Sequence, residues 1–343
     1  MRKLLNTLYV TTNGAYLHKD RETVSVNVDR KKVLQVPILA LENIFCFGRI
    51  TISPQLMEHC VKNNVGLAMF SEYGRFHARI VGKKSGNVLL RRQQYRIADD
   101  DEKCCEIARN IVGAKVSNSR VVLQKALRNR PDCEGADGLQ AACSAMKSTL
   151  GRVQREHSVE ALRGQEGEAA NIYFRVFDHL ISQQKNEFTF TNRNRRPPKD
   201  SANALLSFVY AILLQDCASA LEGVGLDSYV GFLHKDRPGR QSLALDIIEE
   251  FRSFIGDRLS LSLINLKQLS KKDFSFKENG AVFLNETGRK TVLQQYQKRK
   301  QENIHHPVIK ETVKIGLLFH VQALLLARHI RGDMDYYPAF IGR

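Results

Sequence analysis

The segment GFLHKDRPGRQSLALDIIEEF, residues 231–251, combines side chains that can bind a cation with side chains that can bind an anion. His234 is followed by a basic loop that contains Lys235, Arg237 and Arg240. A helix-like run with three acids comes next, namely Asp246, Glu249 and Glu250. At about 100° per residue the acids lie opposite the apolar face of a helix, where like charges repel one another. The pattern leaves two interpretations open, a solvated acidic face and a set of ligands for a metal ion.

Another acid lies on the apolar side of a second predicted helix. Within SVEALRGQEGEAANIYFRVFDHL, residues 158–180, Glu166 has the helical spacing of the stripe formed by Leu162, Ala169 and Tyr173. A carboxylate directed at a protein core is costly unless it is paired or coordinated. Glu166 is therefore either a metal-binding or catalytic residue, or one half of a salt bridge to a buried arginine.

Glu166, His234 and one or two of the acids at 246–250 could converge on a single divalent cation. Oxygen ligands with one imidazole suit Mg²⁺ or Mn²⁺ better than Zn²⁺, which prefers more nitrogen or sulfur. The basic loop after His234 would then face the phosphate groups that such a metal polarises. The alternative for a lone histidine is a packed core residue.

A third segment, NRNRRPPKDSANALLSFVYAILLQD at residues 192–216, places a basic loop before an apolar helix. Ser201 can cap that helix, which is apolar on almost all sides and is therefore predicted to be buried. The basic residues are Arg193, Arg195, Arg196 and Lys199. They are interpreted as contacts to DNA, with a surface charge cluster as the alternative.

The bulk composition favours a polyanionic partner. The formal net charge is +16, and it is spread along the chain, which indicates nucleic acid rather than a membrane surface. Seven cysteines without a CxxC motif predict reduced thiols instead of disulfides or a zinc cluster. The apolar stretches 204–214 and 315–327 are shorter than the roughly 18–20 residues that a bilayer requires. With no signal peptide apparent, a cytoplasmic protein without a membrane partner is expected.

The pattern of elements predicts an α+β fold, with an N-terminal mainly β domain followed by a larger all-α catalytic domain. Short β-branched and aromatic runs fill residues 1–85, interrupted by one helix near 53–63, and Asn13-Gly14 is typical of a hairpin turn. The KKSGN segment at 83–87 predicts domains 1–86 and 87–343. Helices are predicted over 88–130 with a break near 97–101, 138–182 in two pieces, 201–221, 242–254, 256–267, 289–302 and 308–331.

Three motifs in this order resemble one family, the CRISPR-associated endonuclease and integrase of the spacer-acquisition module. They are RGQEGEAANIYF around Glu166, NRRPPKDSANALLSFVYAILL around Asn203, and YVGFLHKDRPGRQSLALDIIEEFR around His234. The resemblance implies a metal-dependent DNA endonuclease and integrase whose metal ligands are Glu166, His234 and Glu249. It implies a catalytic role for Asp246, either as a direct ligand or as a support for one.

The resemblance also implies partners and a reaction. The 3′-hydroxyl of a captured DNA fragment would attack a phosphodiester of the CRISPR repeat, with Arg195, Arg196, Arg237 and Arg240 holding double-stranded or branched DNA. A homodimer, with the β domain as its interface, would join a small ferredoxin-like partner protein. Two other hypotheses remain at this point: a basic DNA-binding scaffold without chemistry, and an RNA-processing nuclease, which the lack of an RNA-recognition motif disfavours.

Two features near the end of the sequence are expected to be peripheral. His305-His306 precedes a proline without acids in a fitting pattern, so both histidines are predicted to be surface residues. The tail YYPAFIGR is predicted to be loosely ordered. Tyr336 and Tyr337 are interpreted as locally packed, with stacking on DNA ends as the alternative.

Overall fold

The computed structural model describes residues 7–74, 76–82 and 88–342, and it confirms the predicted α+β class, with a strand-rich part followed by a helical part. The described strand-rich part contains two four-stranded sheets with the strand orders β1-β5-β7-β8 and β4-β3-β2-β6. Its elements are β1 (Thr7–Val10), β2 (Tyr16–Asp20), β3 (Thr23–Val28), β4 (Lys31–Pro37), β5 (Asn43–Phe47), β6 (Thr51–Ile52), α1 (Pro54–Lys62), β7 (Gly66–Phe70) and β8 (Phe76–Ile80). The predicted boundary at 83–87 lies outside the described residues, so the division into 1–86 and 87–343 stays a prediction.

Asn13-Gly14 forms a turn, but the predicted hairpin is wrong because β1 and β2 belong to different sheets. β1 pairs in parallel with β5, whereas β2 pairs with β3 and β6. The N–H of Arg49 donates to Asn13 Oδ1, and the N–H of Gly14 donates to the Arg49 carbonyl, each at 2.8 Å. These bonds hold the turn against the segment before β6 and lead the chain from one sheet into the other.

The helical part follows the predicted order, with two short hairpins that the all-α expectation did not include. Its elements are α2 (Val88–Ala98), α3 (Asp101–Asn129), α4 (Ala136–Val153), α5 (Val159–Arg175), α6 (Ser201–Gly223), α7 (Ser242–Ile248), α8 (Arg258–Asn265), β9 (Phe274–Phe276), β10 (Val282–Leu284), α9 (Glu286–Gln301), β11 (Asn303–His305), β12 (Thr312–Lys314) and α10 (Leu318–Arg331). The predicted break near 97–101 is confirmed, since Asp100 caps α3 by accepting from the N–H of Lys103 at 3.1 Å. The prediction of one helix over 308–331 is wrong in its first part, where β12 pairs with β11.

The apolar helix α6 is buried, as predicted. By length and composition alone, the whole helix is long enough to cross a membrane, although its apolar core at 204–214 was expected to be too short. However, 78% of its most apolar 18-residue window is buried inside the protein. Phe208 of α6 lies 5.8 Å from the ring of Phe47 in β5. A Cβ at Gly74 would lie 2.4 Å from the Phe208 ring, so only glycine permits this approach. The first sheet therefore packs directly on the central helix.

The predicted helix over 242–254 is wrong, because α7 ends at Ile248. Turns carry Glu249 and Glu250, and a π-helical segment over Arg252–Asp257 leads into α8. Asp246, Glu249 and Glu250 are 0%, 3% and 0% exposed, which excludes a solvated acidic face. Each carboxylate instead has its own hydrogen-bonding or ionic partners, and satisfying them takes precedence over regular helical geometry.

The C-terminal tail is packed into the core, so the prediction of loose order is wrong. Tyr337 and Phe340 are both fully buried. Glu250 accepts hydrogen bonds from the Tyr337 hydroxyl, from Gln322 Nε2 at 2.9 Å and from the N–H of Phe340 at 2.7 Å. Asn118 of α3 donates to the carbonyls of Glu250 and Phe340 at 2.8 and 2.9 Å. The tail thus supplies the donors that a buried carboxylate requires.

The prediction that His305 and His306 are both surface residues is wrong for His306. His305 is exposed, but His306 is fully buried and its Nε2 lies 3.0 Å from Gln322 Oε1. Burial lowers the pKa of His306, so the neutral imidazole is favoured. His306 therefore belongs to the same buried polar network as the tail.

Glu250 makes stability depend on pH. Burial raises its pKa to about 7 from 4.5, although the hydrogen bonds from Tyr337, Phe340 and Gln322 act in the opposite direction. Since the folded state keeps the proton to higher pH than the unfolded state, this contribution to stability is present below about pH 4.5 and is lost as the pH rises through about 7.

The wild-type protein should lose up to roughly 3 kcal/mol of unfolding free energy between pH 5 and pH 8 because of Glu250. We expect Glu250→Gln to lack this part of the loss. Urea unfolding at both pH values measures this difference. Glu42 and Asp257, whose pKa values burial raises to about 7 and about 6, leave some dependence in the variant. The exposed Glu278→Gln serves as the control. An unchanged pH dependence in Glu250→Gln would contradict the assignment.

Candidate active site

Three charged side chains from separate elements meet beside the middle of α3. Lys115 of α3 forms ion pairs with Glu166 of α5 and with Glu249, which directly follows α7. The Lys115 Nζ lies 2.7 Å from Glu249 Oε2 and donates a hydrogen bond to Glu166 Oε1. The buried ionic partner that the sequence suggested for Glu166 is thus present, as a lysine instead of an arginine.

Glu249 lies between two cations in a water-excluded position. Its side chain is 3% exposed, and Arg252 Nη2 lies 3.1 Å from its Oε1. Burial alone would raise the pKa of Glu249, but Arg252, Lys115 and His234 together lower it, so the carboxylate is charged at neutral pH. Its Oε2 lies 2.7 Å from the Lys115 ammonium. Each carboxylate oxygen of Glu249 therefore faces one cation.

His234 is oriented by Asp246. Asp246 is fully buried and accepts hydrogen bonds from the N–H groups of Phe232, Leu233 and His234 at 2.6, 3.0 and 3.0 Å. His234 Nδ1 lies 2.7 Å from Asp246 Oδ1. The carboxylate therefore fixes both the loop and the ring, and Nε2 is the nitrogen left for another partner. Carboxylate-bound imidazoles of this kind are typical of histidines that bind metals.

Glu166, His234 and Glu249 fit a hard divalent cation by their chemistry. Two carboxylates and one imidazole suit Mg²⁺ or Mn²⁺, and a positive charge already lies between the carboxylates of Glu166 and Glu249. Across residues 7–74, 76–82 and 88–342, however, no group of three His, Cys, Asp or Glu side chains is arranged as a ready metal site. The Lys115 ammonium lies between the two carboxylates in this structure.

The four arginines predicted to hold DNA come together from two loops. Arg195, Arg196 and Arg237 are exposed, and Arg240 is half-buried. Burial lowers the pKa of Arg240, and repulsion from Arg237, Arg195 and Arg196 adds to this effect, while Asp246 opposes it. Arg240, a member of the arginine patch formed by Arg195, Arg196, Arg237 and Arg240, is therefore near the carboxylate that orients His234.

Arg193, in the same loop as Arg195 and Arg196, has intramolecular partners. Arg193 is half-buried and donates to Asn203 Oδ1 at 2.6 Å and to Ser207 Oγ at 3.1 Å. Its guanidinium also lies 5.5 Å from the centroid of the Tyr210 ring. Arg193 thus anchors the loop to α6, and its interpretation as a DNA contact stays a prediction. The neighbouring Arg195 and Arg196 face solvent.

The whole chain matches known proteins. A family model described as CRISPR associated protein Cas1 matches residues 8–298. The chain belongs to the Cas1 family. It is 49% identical over 343 residues, covering 100% of both chains, to a protein of Chlorobaculum tepidum named CRISPR-associated endonuclease Cas1. A protein of the same name from Rhodospirillum rubrum is 45% identical, with 98% of both chains covered. A solved Cas1 protein from Thermotoga maritima has a TM-score of 0.80 at 25% identity, covering 96% of this chain and 97% of that one.

Within this Cas1 chain, sequence reasoning missed Lys115 and Arg252. Lys115 is preceded and followed by the buried Ala114 and Val116 in α3. A lone lysine in an apolar helical run is a signal that it has an acidic partner, because an unpaired ammonium is costly in a core. The sequence does not say which acid that partner is, since Glu249 lies far along the chain in an irregular turn.

If Glu166, His234 and Glu249 hold a metal ion, Asp246→Asn should weaken Mn²⁺ binding by about 10–100-fold, because His234 loses the charged group that orients its ring. Calorimetric titration with Mn²⁺ measures the affinity, and circular dichroism checks that the variant folds. The control is Asp236→Asn, a change in an exposed residue of the same loop. Wild-type Mn²⁺ affinity in Asp246→Asn would rule out this positioning role.

Proposed function

We propose that this chain is a DNA endonuclease and integrase of CRISPR adaptation that depends on Mg²⁺ or Mn²⁺. The observation that carries the proposal is the pairing of Glu166 and Glu249 around one cationic group, with Arg240 of the arginine patch near Asp246, which orients His234. Membership of the Cas1 family and the name shared by relatives of matching length support the same reaction. Phosphodiester chemistry requires groups that bind the DNA backbone and positive charge next to the reacting phosphate. The arginine patch would bind the backbone, and the proposed metal ion would supply the charge.

Glu166, His234 and Glu249 would hold the metal ion. The bound metal would orient the reacting oxygens and neutralise charge that develops on the phosphoryl group. Asp246 keeps Nδ1 of His234 occupied and thereby presents Nε2. The arginine patch holds the DNA backbone in register while the 3′-hydroxyl of a captured fragment attacks a phosphodiester of the repeat. The new phosphorus–oxygen bond replaces the one to the departing 3′-oxygen.

The proposed partners are double-stranded and branched DNA, a second copy of this chain, and a small ferredoxin-like protein of the adaptation module. The net charge of +16 and the exposed arginines support a DNA partner. The homodimer and the ferredoxin-like partner rest on the family alone. These partners place the protein in the cytoplasm, where the CRISPR array resides.

The test is a strand-transfer and cleavage assay on branched DNA with Mn²⁺, with excess EDTA, and with single-stranded RNA in place of DNA. We expect nicked and joined DNA products that require the metal, and no comparable cleavage of RNA. Salt-sensitive binding to duplex DNA without any metal-dependent nicking would support the non-catalytic scaffold instead. Preferential RNA cleavage would support an RNA-processing nuclease.

A further inference from the structure

A basic cavity lies away from the candidate active site. It has a volume of about 540 Å³ and lies between the C-terminal end of α3, α8 and α9. Val122 in its wall is seven residues beyond Lys115 on α3, a separation of about 10 Å along the helix. None of Glu166, His234, Glu249 or the arginine patch lines it. The proposed function therefore leaves this cavity without a role.

Its charged lining is strongly basic. The charged residues are Lys125, Arg130, Arg258, Lys298, Arg299 and Glu302. Glu302 pairs with Arg299, and Arg130 donates to the carbonyl of His179 at 3.1 Å. The cavity thus holds five cations against one acid, a balance that attracts an anion.

Arg258 is a half-buried cation of this lining. Its Nε is buried and has no hydrogen-bond partner in the described part of the chain, where Arg258 also forms no ion pair. The guanidinium carbons of Arg258 and Arg299 lie 4.9 and 6.0 Å from the centroid of the same Phe254 ring. Burial, followed by repulsion from Arg299, lowers the pKa of Arg258. Arg258 is therefore a cation without an acidic partner among the described residues, near a second guanidinium, and such a cation can bind a phosphate group.

The uncharged part of the lining combines polar amides and hydroxyls with apolar side chains, among them four leucines besides Leu263: Leu180, Leu259, Leu261 and Leu266. Leu180, Leu259 and Leu261 are buried, whereas Leu266 is 67% exposed at the surface. A cavity of this volume is larger than a phosphate ion requires and falls within the range of small-molecule sites. A ligand that combines a phosphate with a flat or weakly polar neighbour fits both parts of the lining.

We propose that this cavity binds a nucleotide, with the phosphate on Arg258 and Arg299 and the sugar or base against the leucine surface. The nucleotide is either a free mononucleotide or one unit of a DNA strand, since both offer the same chemistry. The site does not depend on metal-dependent cleavage, so the strand-transfer assay above and the binding experiment below can fail separately.

The experiment is calorimetric titration of the full chain, in low salt with EDTA, using 5′-deoxyadenosine monophosphate, inorganic phosphate, deoxyadenosine and a 5′-phosphorylated hexamer of deoxyadenosine. Arg258→Met and Lys298→Gln are compared with Arg128→Gln, an exposed arginine of α3 outside the cavity lining. We expect Arg258→Met to weaken binding about tenfold or more, because one charge-assisted contact is lost. Lys298 is exposed, so Lys298→Gln should fold normally. It should weaken nucleotide binding less than Arg258→Met does.

Weakened binding of the monophosphate identifies a site for free nucleotides, whereas weakened binding of the hexamer alone identifies a unit of a DNA strand. Tighter binding of the monophosphate than of phosphate or deoxyadenosine would confirm that both parts of the lining contribute. The proposal is overturned if neither nucleotide probe binds Arg258→Met and Lys298→Gln more weakly than it binds Arg128→Gln.

Discussion

Glu249→Gln is expected to abolish metal-dependent cleavage and strand transfer, with a loss on the order of 10³-fold or more. The substitution keeps the shape of the side chain but removes a negative charge from a position that is 3% exposed. Lys115 and Arg252 then lack their shared acid, and the proposed metal loses one of its two carboxylates. Glu166→Gln and His234→Ala should have effects of the same size, since each removes another proposed ligand.

Gel-based strand transfer in Mn²⁺, together with a melting curve for each variant, measures this prediction. The matched control is Glu168→Gln, two residues from Glu166 on α5, where the side chain is 48% exposed and pairs with Arg152. Glu168→Gln should retain wild-type rates. If the variants of Glu166, His234 and Glu249 all fold and remain active, the assignment of the metal ligands is wrong.

Lys115→Met is expected to destabilise the metal-free protein by about 3 kcal/mol or more, because two carboxylates then face each other without the ammonium between them. For a chain of this size the melting temperature in EDTA should fall by about 4 °C or more. A divalent cation can replace the lost charge, so Mn²⁺ should raise the melting temperature of Lys115→Met more than that of the wild type.

Differential scanning calorimetry with EDTA and then with Mn²⁺ tests both parts of this prediction. Lys147→Met is the control, since Lys147 lies on an exposed face of α4. If Mn²⁺ stabilises Lys115→Met no more than it stabilises the wild type, the position between Glu166 and Glu249 does not accept a divalent cation. If EDTA leaves the variant as stable as the wild type, the ammonium does not hold the two carboxylates together.

The regular elements were predictable because local pattern and tertiary packing agree for them. The break between α2 and α3 follows from Asp100, whose side chain caps α3. The end of α7 was not predictable, because apolar residues continue at helical spacing through Phe254 while the carboxylates of Glu249 and Glu250 require distant partners. The hairpin at Asn13 failed for a similar reason, since the bond to Arg49 is not visible from the local sequence.

The candidate site was predicted in part. The arginine patch and the unusual position of Glu166 follow from local composition and helical spacing, and the structure brings the arginines together. The assignment of Glu166, His234 and Glu249 as metal ligands came from the family resemblance and remains a prediction. Lys115 was missed because its partners are contributed by α5 and by the turn after α7, which only the folded chain brings to α3.

The packing of the tail implies an order of assembly during translation. The N–H of Phe340 reaches Glu250 across 90 residues of sequence, and the N–H of Gly342 bonds to Asn118 at 2.8 Å across 224 residues. A ribosome needs roughly 5–20 s to make 90 residues at ordinary speeds. During that interval the nascent polypeptide contains Glu249 while its neighbour Glu250 still lacks the donors that accompany its burial. A polypeptide that ends before Tyr337 would therefore lack two donors to the Glu250 carboxylate, next to the turn residue Glu249.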